Sequence, residues 1–339
     1  MDKYEAFRKS FALHPSMELR DGVKLMFQAE FGGGHMIADE NASLLRLKEE
    51  LDNTECSDTE PVFELLGEST ARLNLSPVKG KLSPETLNRI FVLSANKTVG
   101  DVTEFERSLK FLYEFFDKND LDRYLSEYKS LGYPPVSHTE SYRRKYSPSY
   151  RVISEEFIKY LPIFMAIDAK KPRLLGIDGR CGSGKTTLAK LLGEVYDCNV
   201  FHADDFFLPI EMRTEERLST PGGNMHRERL KDEVILPIKE KRTAEYRKYI
   251  CSSCTFSEPV SVSERAINIV EGSYSLHPEI RDLYDLKVFL DIDKSSQLER
   301  LKIRETDESL KAFCERWIPF EERYFSQCEV EKSADVVIK

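Results

Sequence analysis

The stretch Gly179-Arg-Cys-Gly-Ser-Gly184-Lys185-Thr186 decides how the C-terminal half of this 339-residue chain folds. It matches the pattern GxxxxGK[ST], in which glycines let successive backbone N–H groups converge on phosphate oxygens. An apolar run at residues 174–177 leads into it, and residues 187–192 have the composition of a helix. A strand before the loop and a helix after it are the context that a phosphate-binding loop requires. We therefore predict a nucleotide-binding loop here.

The residue types of this loop indicate their roles toward ATP and Mg²⁺, the two cofactors that the motif implies. The side chain of Lys185 is long enough to reach the β- and γ-phosphates, and the Thr186 hydroxyl is a suitable Mg²⁺ ligand. The predicted nucleotide-binding residues are Gly179, Arg180, Cys181, Gly182, Ser183, Gly184, Lys185, Thr186 and Thr187.

Short apolar runs alternate with helical stretches from residue 172 onward, which is typical of a parallel sheet flanked by helices. The runs lie at residues 173–177, 199–202, 267–270, 286–291 and 335–338. Residues 1–130 instead space their apolar side chains as helices do, and a segment rich in Pro, Ser and Tyr follows at 134–150. The sequence predicts an α/β protein with a mainly helical accessory domain at 1–150 and an α/β domain at 151–339.

Two adjacent carboxylates, Asp204 and Asp205, follow the second predicted strand of the α/β domain. Ligands of open α/β sheets bind at the carboxyl ends of the strands. Neighbouring residues of an extended chain point to opposite sides. We expect one of these carboxylates to face the phosphates and the other to support the loop, and the sequence leaves open which is the base.

Several further segments occur in a characteristic order along the C-terminal half. They comprise residues 177–187, 204–207, 221–230, 270–272 and 282–291, a helix with Arg300 and Arg304, and residues 334–338. In this order they resemble the uridine kinase/phosphoribulokinase group of P-loop kinases over about residues 172–339. The resemblance implies a three-layer P-loop kinase domain with a mostly parallel sheet. It also implies transfer of the γ-phosphoryl group of ATP to a hydroxyl of a small metabolite, with uridine as the nominal acceptor.

The resemblance also assigns roles to individual side chains. Asp204 corresponds to the general base, and Glu271 to a carboxylate that holds Mg²⁺ together with Thr186 and Asp204. Arg300 and Arg304 resemble the lid arginines that join Lys185 in stabilising the transferred phosphoryl group, since this chemistry depends on positioning and charge stabilisation. The residues expected to bind the acceptor are Asp205, Phe207, Asn224, His226 and Arg229.

His226 departs from the pattern of the nucleoside kinases in this group. They carry an Asp in this segment that grips the ribose hydroxyls, and an imidazole does not reproduce a carboxylate. The kinase interpretation stands, whereas the nucleoside interpretation is weakened. Arg227 and Arg229 favour an acidic or phosphorylated acceptor.

Residues 1–150 contain no catalytic motif that we recognise. The stretch from His138 to Tyr146 concentrates cations and aromatic side chains, and it is either an anion-binding segment or a solvated linker. The domain could shape the acceptor pocket, sense a metabolite or mediate self-association into a homo-oligomer. The alternative to a kinase is a nucleotide-dependent regulatory module whose ATPase cycle switches this N-terminal domain.

Composition limits the partners of the protein. The net charge of −9 argues against a nucleic-acid-binding surface, and no apolar stretch approaches the ~20 residues of a membrane span. Seven cysteines without a signal peptide are typical of a reducing compartment. The sequence predicts a cytoplasmic enzyme whose partners are ATP, ADP and a small-molecule acceptor.

Overall fold

The computed structural model describes residues 1–339, and the chain divides into two units, Met1–Leu161 and Pro162–Lys339. The division falls later than the boundary after residue 150 that the sequence suggests. The reason is the strand Tyr150–Ser154, which pairs with the strand Thr70–Asn74 of the first unit. No helix in either unit combines the length and the apolar character needed to cross a lipid bilayer.

The N-terminal unit is mainly helical, as predicted, and it also contains a small antiparallel sheet of three strands that lie in chain order. Asp2, Asp39, Ser83, Asp101, Asp117 and Thr139 begin helices by accepting backbone N–H groups with their side chains. The helices are α1 (Lys3–Leu13), α2 (Leu19–Phe31), α3 (Glu40–Asn53), α4 (Leu75–Val78), α5 (Pro84–Lys97), α6 (Val102–Lys110), α7 (Lys118–Ser130), α8 (Glu140–Tyr146) and α9 (Glu155–Ile158). The strands are β1 (Phe63–Leu65), β2 (Thr70–Asn74) and β3 (Tyr150–Ser154).

The C-terminal unit is built on a five-stranded parallel sheet, whose strands lie side by side in the order 336–338, 286–290, 174–179, 267–271 and 198–202. Its strands are β4 (Leu174–Gly179), β5 (Cys198–His202), β10 (Ile267–Glu271), β11 (Leu286–Leu290) and β12 (Val336–Ile338), so each of the five predicted strands is confirmed. Short antiparallel pairs join β6 (Ala244–Tyr246) to β9 (Val260–Val262) and β7 (Tyr249–Ile250) to β8 (Thr255–Phe256). The helices are α10 (Leu161–Lys170, which crosses the division), α11 (Lys185–Val195), α12 (Glu215–Ser219), α13 (Arg227–Leu230), α14 (Leu236–Lys239), α15 (Lys294–Arg304), α16 (Asp307–Ala312), α17 (Ile318–Gln327) and α18 (Val330–Ser333).

The candidate site lies at the edge where the central strands of this sheet end. Every residue of β4 and β10 is buried, as expected for a parallel sheet covered on both faces. Their register pairs Glu271 with Ile177 on β4 and with His202 on β5. Because parallel strands end at the same edge, Gly179, His202 and Glu271 come together at the carboxyl ends of three neighbouring strands.

Candidate active site

The loop at residues 179–186, called the P-loop below, depends on glycine at two positions. Gly179 ends β4 with φ +148°, and a Cβ atom there would lie 2.1 Å from the carbonyl oxygen of Leu290. Gly184 precedes the first turn of α11 with φ +99°, a left-handed conformation that favours glycine. The chain therefore turns directly from a buried strand into a helix of 11 residues, whose N-terminal N–H groups face an anion favourably.

Lys185 lies across the P-loop. Its Nζ atom donates to the carbonyl oxygens of Gly179 at 2.7 Å and Arg180 at 3.1 Å, and it lies 3.4 Å from the Ser273 hydroxyl. The residue is only 9% exposed. The ammonium of Lys185 is therefore held against the P-loop.

Thr186, Glu271 and His202 form one hydrogen-bonded group beside the P-loop. The Thr186 hydroxyl lies 3.2 and 3.4 Å from the two carboxylate oxygens of Glu271, and the Nδ1 atom of His202 lies 2.6 Å from Oε1 of the same carboxylate. The hydrogen bond with Glu271 raises the pKa of His202. Glu271 is buried, so two neighbouring side chains fix the orientation of this carboxylate.

Asp204 and Asp205 lie on a short 3₁₀ turn, Ala203–Phe206, and differ in their partners. The Oδ2 atom of Asp205 lies 3.1 Å from the ammonium of Lys248, whereas Asp204 is exposed and forms no hydrogen bond or ion pair. Partial desolvation raises the pKa of Asp204, Lys185 opposes this effect, and Glu271 adds to it. Of the two carboxylates, Asp204 is the one free to accept a proton.

The two arginines proposed from sequence as a lid have different contacts. The Nη1 atom of Arg300 donates to the carbonyl oxygen of Gly182 in the P-loop at 3.0 Å. Arg304 instead pairs with Glu305 at 2.6 Å and lies over the ring of Phe313 at 5.5 Å. In this structure only Arg300 of the pair contacts the P-loop.

Two backbone hydrogen bonds bring together most of the residues that are predicted to bind the phosphoryl acceptor. Leu208 N donates to Asn224 O at 2.8 Å, and His226 N donates to Phe206 O at 2.7 Å, so Phe207 lies beside the segment 224–226. The imidazole of His226 accepts from the backbone N–H of Arg229 at 3.4 Å and thereby caps α13. Burial lowers the pKa of His226, and its Nδ1 atom also lies 3.2 Å from Oε2 of Glu228.

Arg229 is less available to an anion than its position in the sequence suggests. It forms two hydrogen bonds with Glu233, at 2.8 and 2.6 Å. Its guanidinium lies 5.3 Å from the ring centre of Phe206 and 4.7 Å from that of Phe256. It lines a cavity of about 390 Å³ together with Glu233, Tyr246 and Phe256. Glu233 already balances the charge of Arg229, which weakens the case for an acidic acceptor at this residue.

Two carboxylates that support the P-loop were not predicted from the sequence. Asp178 is fully buried and accepts from Gly179 N at 2.7 Å, Tyr274 N at 3.2 Å, Leu276 N at 2.9 Å and the Tyr324 hydroxyl at 2.8 Å. Burial raises the pKa of Asp178 to about 6, and the hydrogen bond from Leu276 N and the charge of Lys185 oppose this rise.

The second of these carboxylates is Glu321, on α17. Its Oε2 atom accepts from the backbone N–H of Cys181 at 3.0 Å, and its Oε1 atom accepts from the Ser273 hydroxyl at 2.5 Å. Glu321 therefore ties the P-loop to the segment after β10. An acidic residue on a helix distant in sequence gives no local signal of such a role.

Comparison with known proteins gives relatives for the C-terminal half. The chain is 30% identical over 151 residues to a uridine kinase of Clostridium botulinum (strain 657 / Type Ba4), which covers 41% of this chain and 71% of that protein. It is 26% identical over 186 residues to a uridine kinase of Bacillus licheniformis, covering 50% of this chain and 86% of the relative. A solved structure described as a possible uridine kinase from Bacillus stearothermophilus aligns with a TM-score of 0.39 and 26% identity, over 49% of this chain and 88% of that one. No protein-family model matches the chain.

Proposed function

Because this chain belongs to the uridine kinase family through its C-terminal half, we propose that it transfers the γ-phosphoryl group of ATP to a hydroxyl group of a small metabolite. The observation that carries the proposal is the convergence of four side chains at the carboxyl edge of the sheet. Lys185 lies on the P-loop, Thr186 contacts Glu271, and Asp204 follows the adjacent strand without a partner.

The oxygen donors at this edge fit Mg²⁺. A threonine hydroxyl and a carboxylate are hard oxygen ligands, the kind that this cation prefers. Thr186 and Glu271 would hold the ion, with Asp204 nearby, and the bound ion would neutralise charge on the phosphates. His202 keeps Glu271 in place through its hydrogen bond at 2.6 Å.

The protein's own groups divide the remaining work between charge stabilisation and proton acceptance. Backbone N–H groups of the P-loop, Lys185 and Arg300 supply positive charge where the transferred phosphoryl group gains negative charge. Asp204 accepts the proton of the attacking hydroxyl, and its raised pKa makes it a stronger base than an ordinary aspartate. Phe207, Asn224 and His226 lie on the segments that would contact the acceptor.

The direct test is a screen for the acceptor. Purified protein with ATP and Mg²⁺ is incubated with nucleosides such as uridine, sugars, vitamins and amino alcohols, and products are identified by mass spectrometry. We expect one acceptor class to yield a product heavier by one phosphoryl group. ATP hydrolysis without any phosphorylated product would instead favour a regulatory module driven by an ATPase cycle.

A change at Glu271 tests the cation site separately. Glu271→Gln keeps the size of the side chain but removes the charge, so we expect the Mg²⁺ concentration for half-maximal activity to rise about 10–100-fold, the range seen when groups around a metal are altered. The matched control is Glu322→Gln, a carboxylate that pairs with Arg180 of the P-loop at 3.3 Å. An identical Mg²⁺ dependence in both variants would remove Glu271 from the proposed site.

A further inference from the structure

One face of α2 in the N-terminal unit carries polar side chains into the interior. Asp21, Lys24 and Gln28 follow one another at helical spacing, and Asp21 and Gln28 are 0% and 1% exposed. Opposite them lie Arg72 of β2 and Tyr150 of β3, with the guanidinium 4.6 Å from the ring centre. Buried polar groups destabilise a fold unless they are paired, so each donor and acceptor here calls for a partner.

The amide group of Gln28 has a partner on one side only. Its Oε1 atom accepts from Nε and Nη2 of Arg72, at 3.0 and 2.8 Å, which fixes which end of the amide is the oxygen. Its Nε2 atom is buried and has no hydrogen-bond partner. A buried N–H without a partner destabilises the fold, because it has lost its hydrogen bond to water. An acceptor brought by a ligand would remove this cost.

Lys24 lies one helical turn before Gln28 and also lacks an anionic partner. Its Nζ atom has one hydrogen bond, to the carbonyl oxygen of Val136 at 3.3 Å. Burial, with the positive charges of Arg72 and Arg143, lowers the pKa of Lys24 to about 8, and Asp21 opposes this only in part. The ammonium therefore retains unused donors in surroundings that disfavour its charge.

The charge balance of this region favours an anion. The charged groups that act on Lys24 are three cations, Arg20, Arg72 and Arg143, and one carboxylate, Asp21. His35 and His138 do not change the balance, because burial lowers the pKa of both and that of His138 falls to about 4. Asp21 is occupied by His138 at 2.9 Å and by Thr139, and Glu64 pairs with Arg72 at 3.3 Å. Neither carboxylate is left to neutralise Lys24 or the exposed, unpaired Arg143.

We propose that this face of the N-terminal unit binds a small metabolite through an oxyanion, either a carboxylate or a phosphate group. The ammonium of Lys24, the free amide N–H of Gln28 and the guanidinium of Arg143 donate to it. Residues 138–146 were interpreted above as either an anion-binding segment or a solvated linker, and the proposal adopts the anion-binding segment. The residues of this segment have different roles. His138 supports the site from within, whereas Arg143 faces the ligand. The proposal does not depend on the kinase function.

Competitive labelling of Lys24 in the full chain tests the site without interference from the P-loop. The protein is treated with acetic anhydride at pH 7 in sodium chloride, sodium phosphate or sodium formate at equal ionic strength, and acetylation of each lysine is followed by peptide mass spectrometry. An anion that raises the pKa of Lys24 by about one unit slows its labelling about tenfold. Protection by phosphate identifies a phosphate ligand, protection by formate a carboxylate.

Lys118 is the internal control, since it is exposed and has no anionic partner, and Arg143→Ala is compared with Arg144→Ala on the same helix. We expect unchanged labelling of Lys118, loss of Lys24 protection in Arg143→Ala and retention of protection in Arg144→Ala. Labelling of Lys24 that neither anion slows relative to chloride would overturn the proposal. Equal protection in the two arginine variants would overturn the proposed donor set.

Discussion

Replacing Asp204 with Asn is expected to lower the rate of phosphoryl transfer by about 10²–10⁴-fold, the usual contribution of a general base. The amide keeps the shape of the side chain but cannot take the proton of the attacking hydroxyl. ATP binding should change little, because Asp204 forms no hydrogen bond or ion pair with the P-loop. The measurements are the turnover number with the acceptor found by screening and the dissociation constant for ATP.

Asp205→Asn is the matched control for this prediction. It makes the same chemical change one residue away, at a carboxylate that is held 3.1 Å from Lys248. We expect a smaller loss of activity, arising from a weakened loop. If Asp204→Asn kept the wild-type rate and Asp205→Asn lost it, the roles of the two carboxylates would be exchanged.

The parts of this fold that the sequence predicts are those encoded by contiguous residues. β4 and β10 are recognisable from the sequence because a strand buried on both faces is mostly apolar, although β10 also contains Asn268 and β4 contains Asp178. The P-loop was recognisable because its glycines, Lys185 and Thr186 must occur at fixed spacing for the backbone to surround an anion. In both cases the physical requirement and the sequence signal cover the same few residues.

The groups that support the site come from distant parts of the chain and left no such signal. His202 meets Glu271 because β5 and β10 pair in a particular register, and register between non-consecutive strands cannot be read from either strand alone. Glu321 reaches Cys181 from a helix near the C-terminus. Asp178 stands inside an apolar strand, and three of its four donors are supplied by the loop after β10 and by α17.

In the N-terminal unit, the sequence likewise does not show which of two neighbouring side chains is buried. In the sequence, His138 and Arg143 belong to one cationic and aromatic stretch. In the structure, His138 is buried against Asp21 and stacks on Tyr142 with 4.3 Å between ring centres, whereas Arg143 is exposed. Composition indicates a cluster of cations in this stretch, but only the packing of α2 against the sheet shows that His138 is buried and that Arg143 is exposed.

Removing the carboxylate of Asp178 should have the largest effect on stability. In Asp178→Ala, three backbone N–H groups and the Tyr324 hydroxyl lose their common acceptor in a fully buried position, and the side chain leaves a cavity. Unpaired buried donors cost about 1–3 kcal/mol each before relaxation. Since neighbouring groups share that relaxation, we expect the free energy of unfolding of the C-terminal unit to fall by about 3–5 kcal/mol.

Trp317 is the only tryptophan of the chain and lies in the C-terminal unit, so its fluorescence during urea unfolding reports on that unit. Tyr324→Phe removes one of the four hydrogen bonds to Asp178 and should cost only about 0.5–1.5 kcal/mol. Asp282→Ala, at an exposed aspartate, should stay within about 0.5 kcal/mol of the wild type. If Asp178→Ala were no more destabilising than Tyr324→Phe, the buried carboxylate would not be what joins the P-loop to the loop after β10. A loss of stability that is largest in Asp178→Ala, smaller in Tyr324→Phe and smallest in Asp282→Ala would show that this hydrogen-bond network stabilises the fold. Equal losses in Asp178→Ala and Asp282→Ala would instead show that the fold is sensitive to the removal of any carboxylate.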